Sequence, residues 1–478
     1  MSDSTLAGLT QVGIPPRLLC RWPAVLGALA ACVLSIGKPA YAQEPTWRWA
    51  SHSTENGNVV VAKVATDAAG NSYVTGRFTH HLQLGSYSLQ SVGSSDVFAA
   101  KLSASGEWQW ATAAGGAGTD MASGLVVDAD GNVTVAGSFT ESASFGSFTK
   151  RSQGGHDMFV ASLTPAGTWR AVSTAGGTEQ DQITAIALDA QHNVVVGGRF
   201  RGEVSFETNT LSSTATSDAF VAKLDDQGRW VWARQTQGSD QTVINSLTIG
   251  HAGDIYTAGY FAGTTHLGPA QLTSAGTHDA FVAKVDGAGN WQWATTGGGP
   301  STDYAKAIAV SADGNVFVTG SFSGRASFGA FDFLSQGGDD AYVARLTPQG
   351  QWQWVYTVRG NAMEDATDVC LGPGGSIYIT GCFSRGAQYG TSTLVSQGST
   401  DLFMARLSKS GRWLDFLTFG SLATDDAGTI RTAPNGDVYV GGILGSAARL
   451  GAFSTGNALN QLFVGRVEFP VRMTADIR

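Results

Sequence analysis

Along most of this chain short apolar runs alternate with tight polar turns, and the alternation itself recurs. Residues 307–354 show one period. Ala307-Ile308-Ala309-Val310 is a short apolar run. Ser311-Ala312-Asp313-Gly314-Asn315 follows as a tight turn, because Gly and Asn tolerate positive φ. Residues 316–322 (VFVTGSF) are a second run rich in β-branched and aromatic side chains. A longer stretch with Phe328-Gly329 and Gly337-Gly338 leads to a third run at 340–346 (DAYVARL). Pro348-Gln349-Gly350 turns the chain into a fourth, Trp352-Gln353-Trp354. The pattern predicts four antiparallel strands in a meander.

The meander recurs every 61 residues. Trp47, Trp108, Trp169, Trp230, Trp291, Trp352 and Trp413 keep that step. A second Trp follows two residues later at Trp49, Trp110, Trp232, Trp293 and Trp354, while Ala171 and Asp415 break the series. Gly76, Gly137, Gly198, Gly259, Gly320, Gly381 and Gly442 form another series, and Phe78 to Phe383, ending in Leu444, a third. Asp96, Asp157, Asp218, Asp279, Asp340 and Asp401 open a D-x-F/Y motif that becomes Gln461-Leu462-Phe463 in the last copy. Seven such units predict an all-β fold, a seven-bladed β-propeller of four-stranded antiparallel blades. Trp47-Arg48-Trp49 is a fourth strand with no blade before it, and the last copy has three strands without a Trp strand after it. The amino-terminal strand is therefore expected to complete the last blade and close the ring, which removes exposed edges. A spacing of two is expected to put both rings of a Trp pair on one strand face, against the neighbouring blade. Each ring buries ~150–250 Å², an upper estimate of about 4–6 kcal/mol before entropy.

The segments GNVFVTGSF, DAFVAKVDGAGNWQWA and SFG resemble the secreted bacterial SBBP-type β-propeller repeat family. The resemblance covers residues 47–467. It implies a propeller fold and an exported bacterial protein, and it implies no defined reaction. Some members carry a carboxyl-terminal sorting domain; the chain ends at Arg478, just after the last repeat, and that route is not expected.

Composition sharpens this picture. The chain has 63 Gly and only 14% charged residues, which fits close-packed strands joined by turns. Its net charge of −9 excludes the basic footprint that nucleic-acid binding needs. Arg17 and Arg21 precede an apolar run from Pro23 to Ile36, followed by Ala40-Tyr41-Ala42. Residues 1–42 thus read as a secretory signal removed before Gln43, leaving 43–478 as a single propeller domain. The expected location is extracellular or periplasmic. The alternative is a lipoprotein anchored at Cys32, since Leu29-Ala30-Ala31-Cys32 has a lipobox pattern. Nothing after the signal approaches the ~20 apolar residues of a membrane span. Cys370 and Cys382 fall in one predicted hairpin, ~13 Å apart in register, beyond disulfide reach.

Candidate chemistry is sparse. The D-x-F carboxylates are expected to bond backbone amides where the third strand begins. Asp128-Ala129-Asp130-Gly131-Asn132 fails the EF-hand pattern, because Gly stands fourth and Phe139 replaces the closing Glu. The turn at 286–291 is similar to the Asp-box of sialidase-like propellers, with Gly and Trp one residue too close. His80, His81, His156 and His278 lack metal-ligand spacing and read as surface histidines. No phosphate loop, G-x-S-x-G elbow or CxxC is present. Just before the first strand of successive repeats stand Asp120, Asp181, Asp303, Glu364 and Asp425, with Val59 and Thr242 breaking the series. These five either cap their own loops or form an acidic ring at a channel mouth that takes Ca²⁺ or a polar ligand. No other cofactor is expected. The long loops are the expected binding face, for a surface protein or a glycan, on a monomer. The alternative is a carbohydrate-active enzyme working at the channel mouth.

Overall fold

A computed structural model describes residues 44–54 and 57–470; the signal segment 1–42 and Cys32 lie outside them. All seven repeats fall in one compact unit that begins at Glu44. Among the described residues the only helical element is a single 3-10 turn at Pro373–Gly375.

The second repeat shows the build. Its strands are Met121–Val127, Val133–Phe139, Asp157–Leu163 and Trp169–Gly177, paired antiparallel in chain order. The central strand Val133–Phe139 is buried along nearly its whole length because the sheet packs on both faces. The Gly series has a steric cause: a Cβ at Gly137 would lie 1.9 Å from the Met121 carbonyl on the adjacent strand. Among the described residues seven apolar clusters fill the gaps. One joins Val97 and Tyr73 of the first repeat to Val135 and Phe159 of the second.

Three features depart from, or extend, the sequence pattern. First, the stretch between second and third strands is itself a hairpin. In the second repeat it is Ser142–Phe145 with Phe148–Arg151, and it docks on the preceding repeat where Ala143 faces Gly116. In the fifth repeat it merges into the long strands Val316–Phe328 and Phe331–Leu346.

Second, the paired Trp rings do not share a face. A β-bulge separates them: Trp110 stands opposite Lys101, and Trp108 opposite Leu102, the very next residue. The extra residue flips one ring, so Trp108 joins one inter-repeat core and Trp110 the next. Trp291 and Trp293, and Trp352 and Trp354, divide in the same way. Each pair therefore fastens its strand on both sides.

Third, every first strand carries a bulge at one column: residues 62, 123, 184, 245, 306, 367 and 428. These residues line a cavity of about 640 Å³ bounded by the first strands.

The amino-terminal strand Thr46–His52 pairs antiparallel with Gln461–Glu468, Trp47 facing Val467 and His52 facing Phe463. That sheet continues through Val438–Leu444 to Asp426–Thr432. Each first strand packs beside the next, and Asp426–Thr432 packs beside Val59–Thr66 of the first repeat. Cys370 faces Tyr378 in the register read from sequence, and both thiols are buried and free.

Candidate functional site

The five acidic residues lie at the junctions between repeats, and all are buried. Each junction brings one of them beside the D-x-F carboxyl of the preceding repeat. A Cβ at Gly115 would sit 2.7 Å from both the Asp120 and the Asp96 carboxyls, and Gly298 and Gly420 show the same convergence for Asp303 with Asp279 and Asp425 with Asp401. Loop amides cap these groups: Gly116 N–H donates to Asp120 (2.7 Å), Gly299 N–H to Asp303 (2.8 Å) and Ser421 N–H to Asp425 (2.6 Å). Arg201 N–H reaches Asp181 at 3.3 Å. Burial, reinforced by the neighbouring carboxylate, pushes Asp120, Asp181 and Asp303 up to about 7 and Glu364 up to about 8, and raises Asp425. Among the described residues no group of three or more His, Cys, Asp or Glu is arranged to hold a metal ion. The D-x-F carboxylates also accept amides four residues upstream, as Val92 N–H to Asp96 (3.0 Å) and Gln397 N–H to Asp401 (2.7 Å). In the fourth repeat Thr242 stands where the acid would be, and hydroxyls of Ser213 and Thr236 serve Asp218 instead.

The Asp128 turn spends its carboxylate locally, accepting from Asp130 N–H (3.0 Å), Asn132 N–H (2.8 Å) and Asn132 Nδ2 (2.7 Å). That is an Asx-type turn.

Chemical variety sits instead at the first strands. The bulge column reads Ala62, Ser123, Thr184, Asn245, Lys306, Thr367 and Gly428. Bulges re-aim side chains, and here they place hydroxyl, amide and ammonium groups along the cavity. Several reach across to a neighbouring repeat: Thr184 Oγ1 donates to the Ile244 carbonyl, Asn245 Nδ2 to the Ala305 carbonyl (2.9 Å) and Lys306 Nζ to Asp365. On the strand that carries Asp365, Asp368 accepts from Lys63 Nζ (3.2 Å), Arg431 Nη1 (2.8 Å), Thr429 Oγ1 (2.7 Å) and Ile430 N–H (3.0 Å). Those residues come from the first, sixth and seventh repeats. Burial, with the Arg431 charge, brings Lys63 down to about 8.

One level above, at the junction-loop end, two further columns vary between repeats. Between the Gly and Phe series stand Arg77, Ser138, Arg199, Tyr260, Ser321, Cys382 and Ile443. Across the strand pair they face Val60, Met121, Gln182, Val243, Tyr304, Asp365 and Asp426. In the third to fifth repeats these columns form a polar aromatic cluster. Arg199 donates from Nε (3.0 Å) and Nη2 (2.8 Å) to Gln182 Oε1. Tyr260 meets Tyr304 edge-on at 4.8 Å between centroids, and His278 lies 5.1 Å from Tyr260 and 5.9 Å from Tyr304. His278 is thus half-buried in an aromatic box rather than free on the surface. His156 is also half-buried, and burial together with the Arg199 charge lowers its affinity for a proton. Sequence reading missed these columns because it weighed the recurring residues; the signal is variation in the one column that stands between the Gly and Phe series.

Repeated four-stranded meanders, with first strands side by side around a polar cavity, define a β-propeller. No family model matches the chain. Two curated proteins show partial similarity. An uncharacterised WD-repeat-containing protein of Acanthamoeba polyphaga mimivirus is 29% identical over 146 residues, 28% of this chain and 10% of its own length. The regulatory protein FlaEY of Caulobacter vibrioides is 26% identical over 281 residues, 55% of this chain and 29% of its own length. The chain thus spans less than a third of the length of these relatives. Among solved structures, the WD40 propeller domain of Doa1 is similar with TM-score 0.47 and 12% identity, over 89% of this chain and 97% of that one. The Neurospora crassa Pan2 WD40 domain gives TM-score 0.44 and 11% identity, over 86% and 90%.

Proposed function

We propose that this chain is an exported, seven-bladed propeller of SBBP type, closed by its amino-terminal strand, that works by binding a surface protein or a glycan. Closure is supported by the pairing of Thr46–His52 with Gln461–Glu468 and by the packing of Asp426–Thr432 on Val59–Thr66. Export is supported by the charged, apolar and A-x-A pattern of residues 1–42.

One observation carries the binding role. At the junction-loop end the Gly and Phe series frame one variable column, a second variable column faces it across the strand pair, and these columns with His278 set Arg199 beside Gln182 and Tyr260 beside Tyr304 across three repeats. Aromatic faces beside hydrogen-bonding groups suit a polar ring or a polar side chain. Diversity between the Gly and Phe series, which themselves stay nearly constant, is what a binding role would require.

The test is a glycan array and a surface-protein display screen, run with the wild type and a Tyr260→Ala/Tyr304→Ala variant. Wild-type protein should select a restricted ligand set that the double variant loses while keeping its Tm. A ligand held equally well by both proteins would move the binding surface away from this end.

A further inference from the structure

The second Trp of each pair has a fixed job at the opposite, short-turn end of the sheets. Trp49, Trp110, Trp232, Trp293 and Trp354 lie over a glycine in the turn of the next repeat: Gly106, Gly167, Gly289, Gly350 and Gly411. The indole N–H of Trp49, Trp110 and Trp293 donates to that turn's carbonyl at Ala104 (2.9 Å), Pro165 (3.0 Å) and Pro348 (3.0 Å). For four of the five the ring's other neighbour is an aromatic residue, Tyr439, Tyr73, Tyr256 or Phe317, with centroids 6.0–6.3 Å away, and for Trp232 the in-register residue is Val195.

Two repeats lack this Trp, and they solve the gap differently. Where Asp415 replaces it, the aromatic neighbour Tyr378 remains, and Phe469 packs on it at 5.1 Å. Arg406, which pairs with Asp415, covers the Phe469 ring at 5.6 Å. A ring from another segment has moved in. Where Ala171 replaces it, the in-register neighbour is Thr134 instead of an aromatic residue. A Cβ at the corresponding glycine, Gly228, would meet Ser173 Oγ (2.9 Å) and no indole. Ala171, Thr134 and Gly228 instead line a cavity of about 520 Å³. Val160, Leu188, Val194 and Leu224 line it as well. The carbonyl in register with Ala104 and Pro165 belongs to Asp226, which also lines the cavity. Its rim carries Asp128, Asp130, Asp225 and Asp226 against Arg170 and His192.

We propose that this cavity is a ligand site for one indole ring that carries no negative charge. The ring occupies the place that an indole fills in five other repeats, over Gly228, and its N–H donates to the Asp226 carbonyl. With Asp128 held in its own turn and Asp225 paired with Arg229, the exposed Asp130 and Asp226 carboxylates favour an ammonium or neutral substituent and disfavour a carboxylate. A volume of this size lies within the range of small-ligand pockets, ~300–1,000 Å³. The same chemistry can arrive as a free indolylalkylamine or as a Trp side chain of a peptide.

Isothermal titration of the whole protein with tryptamine, indole-3-acetate and a Gly-Trp-Lys peptide tests this. Tryptamine or the peptide should bind one-to-one, at least about tenfold tighter than indole-3-acetate. Ala171→Trp, which restores the repeat, should fold with an equal or higher Tm and abolish binding. Should that variant not fold, Ala171→Leu fills part of the cavity and should weaken binding about tenfold. Tighter binding of the peptide assigns the site to a partner's Trp, and tighter binding of tryptamine to a free amine. Absence of saturable binding by the wild type at millimolar concentration, or binding untouched by both variants, overturns the proposal.

Discussion

Replacing Asp120 with Asn should stabilise the protein at pH 8 and leave it nearly unchanged below about pH 4. Asp120 is fully buried and shares its junction with Asp96, itself 2% exposed. Burial pushes Asp120 up to about 7 and raises Asp96 as well. In the unfolded chain an Asp ionises near ~3.9. Below that pH both states hold the proton, and the group contributes nothing to the pH dependence. Between about 4 and 7 the unfolded state loses its proton while the folded state keeps it, so stability falls as pH rises. Three pKa units at about 1.4 kcal/mol each bound the loss at ~4 kcal/mol, an order-of-magnitude ceiling for this one group. Asn has no proton to lose. Its carbonyl can still accept the Gly116 N–H, now 2.7 Å from Asp120, and its amide can donate to Asp96. The assay is urea unfolding of wild type and variant at pH 5 and pH 8. The reasoning requires a gap that opens with pH in favour of the variant. A variant less stable than the wild type by the same margin at both pH values would refute it, because Asp120 would then act as an ionised cap.

Three further outcomes are expected. Deleting residues 47–50 removes both rings of a pair, including Trp49, whose N–H reaches Ala104, and should cost roughly 6–10 kcal/mol; an unchanged thermal midpoint would sink ring closure. Adding Ca²⁺ or EDTA should leave Tm unchanged at pH 7, since burial pushes Asp120, Asp181 and Asp303 up to about 7 and loop amides already serve them; a calcium-dependent rise would favour the cation ring. Cys370 is buried and its thiol is pushed up to about 12, so it should react with a maleimide only after unfolding, and labelling of the native protein would contradict its burial.

Recurring residues made the architecture readable and left its details open. Strand order, turns and the register of Cys370 on Tyr378 follow from a 61-residue period because each copy repeats the same local constraints. The two faces of the Trp pair did not follow. Spacing of two implies one face only while the ladder is regular, and a bulge between Trp108 and Trp110 breaks the ladder without leaving a Gly or Pro to announce it. The outer hairpins were partly written in the chain: Ala143 and Phe145 alternate with exposed Ser142 and Ser144, but four residues are too few to stand out from a loop.

The proposed binding chemistry was hidden for a related reason. A residue that recurs from repeat to repeat is held there by the fold, as Asp96 is by the Val92 amide. A residue that serves a ligand has no need to recur. Arg199 and Tyr260 occupy one column in successive repeats, and nothing in that column's composition marks it until the structure sets Gln182 beside one and Tyr304 beside the other. Ala171 is the converse case. In isolation it is a small residue in a strand, and only the indoles at Trp110 and Trp232 on either side show what volume it leaves open. In a repeat protein, departures from the period are where structural necessity is relaxed. A departure that the fold refills, as Phe469 does beside Asp415, belongs to stability. One that the fold leaves open and rims with charge, as around Ala171, is where a ligand has room to act.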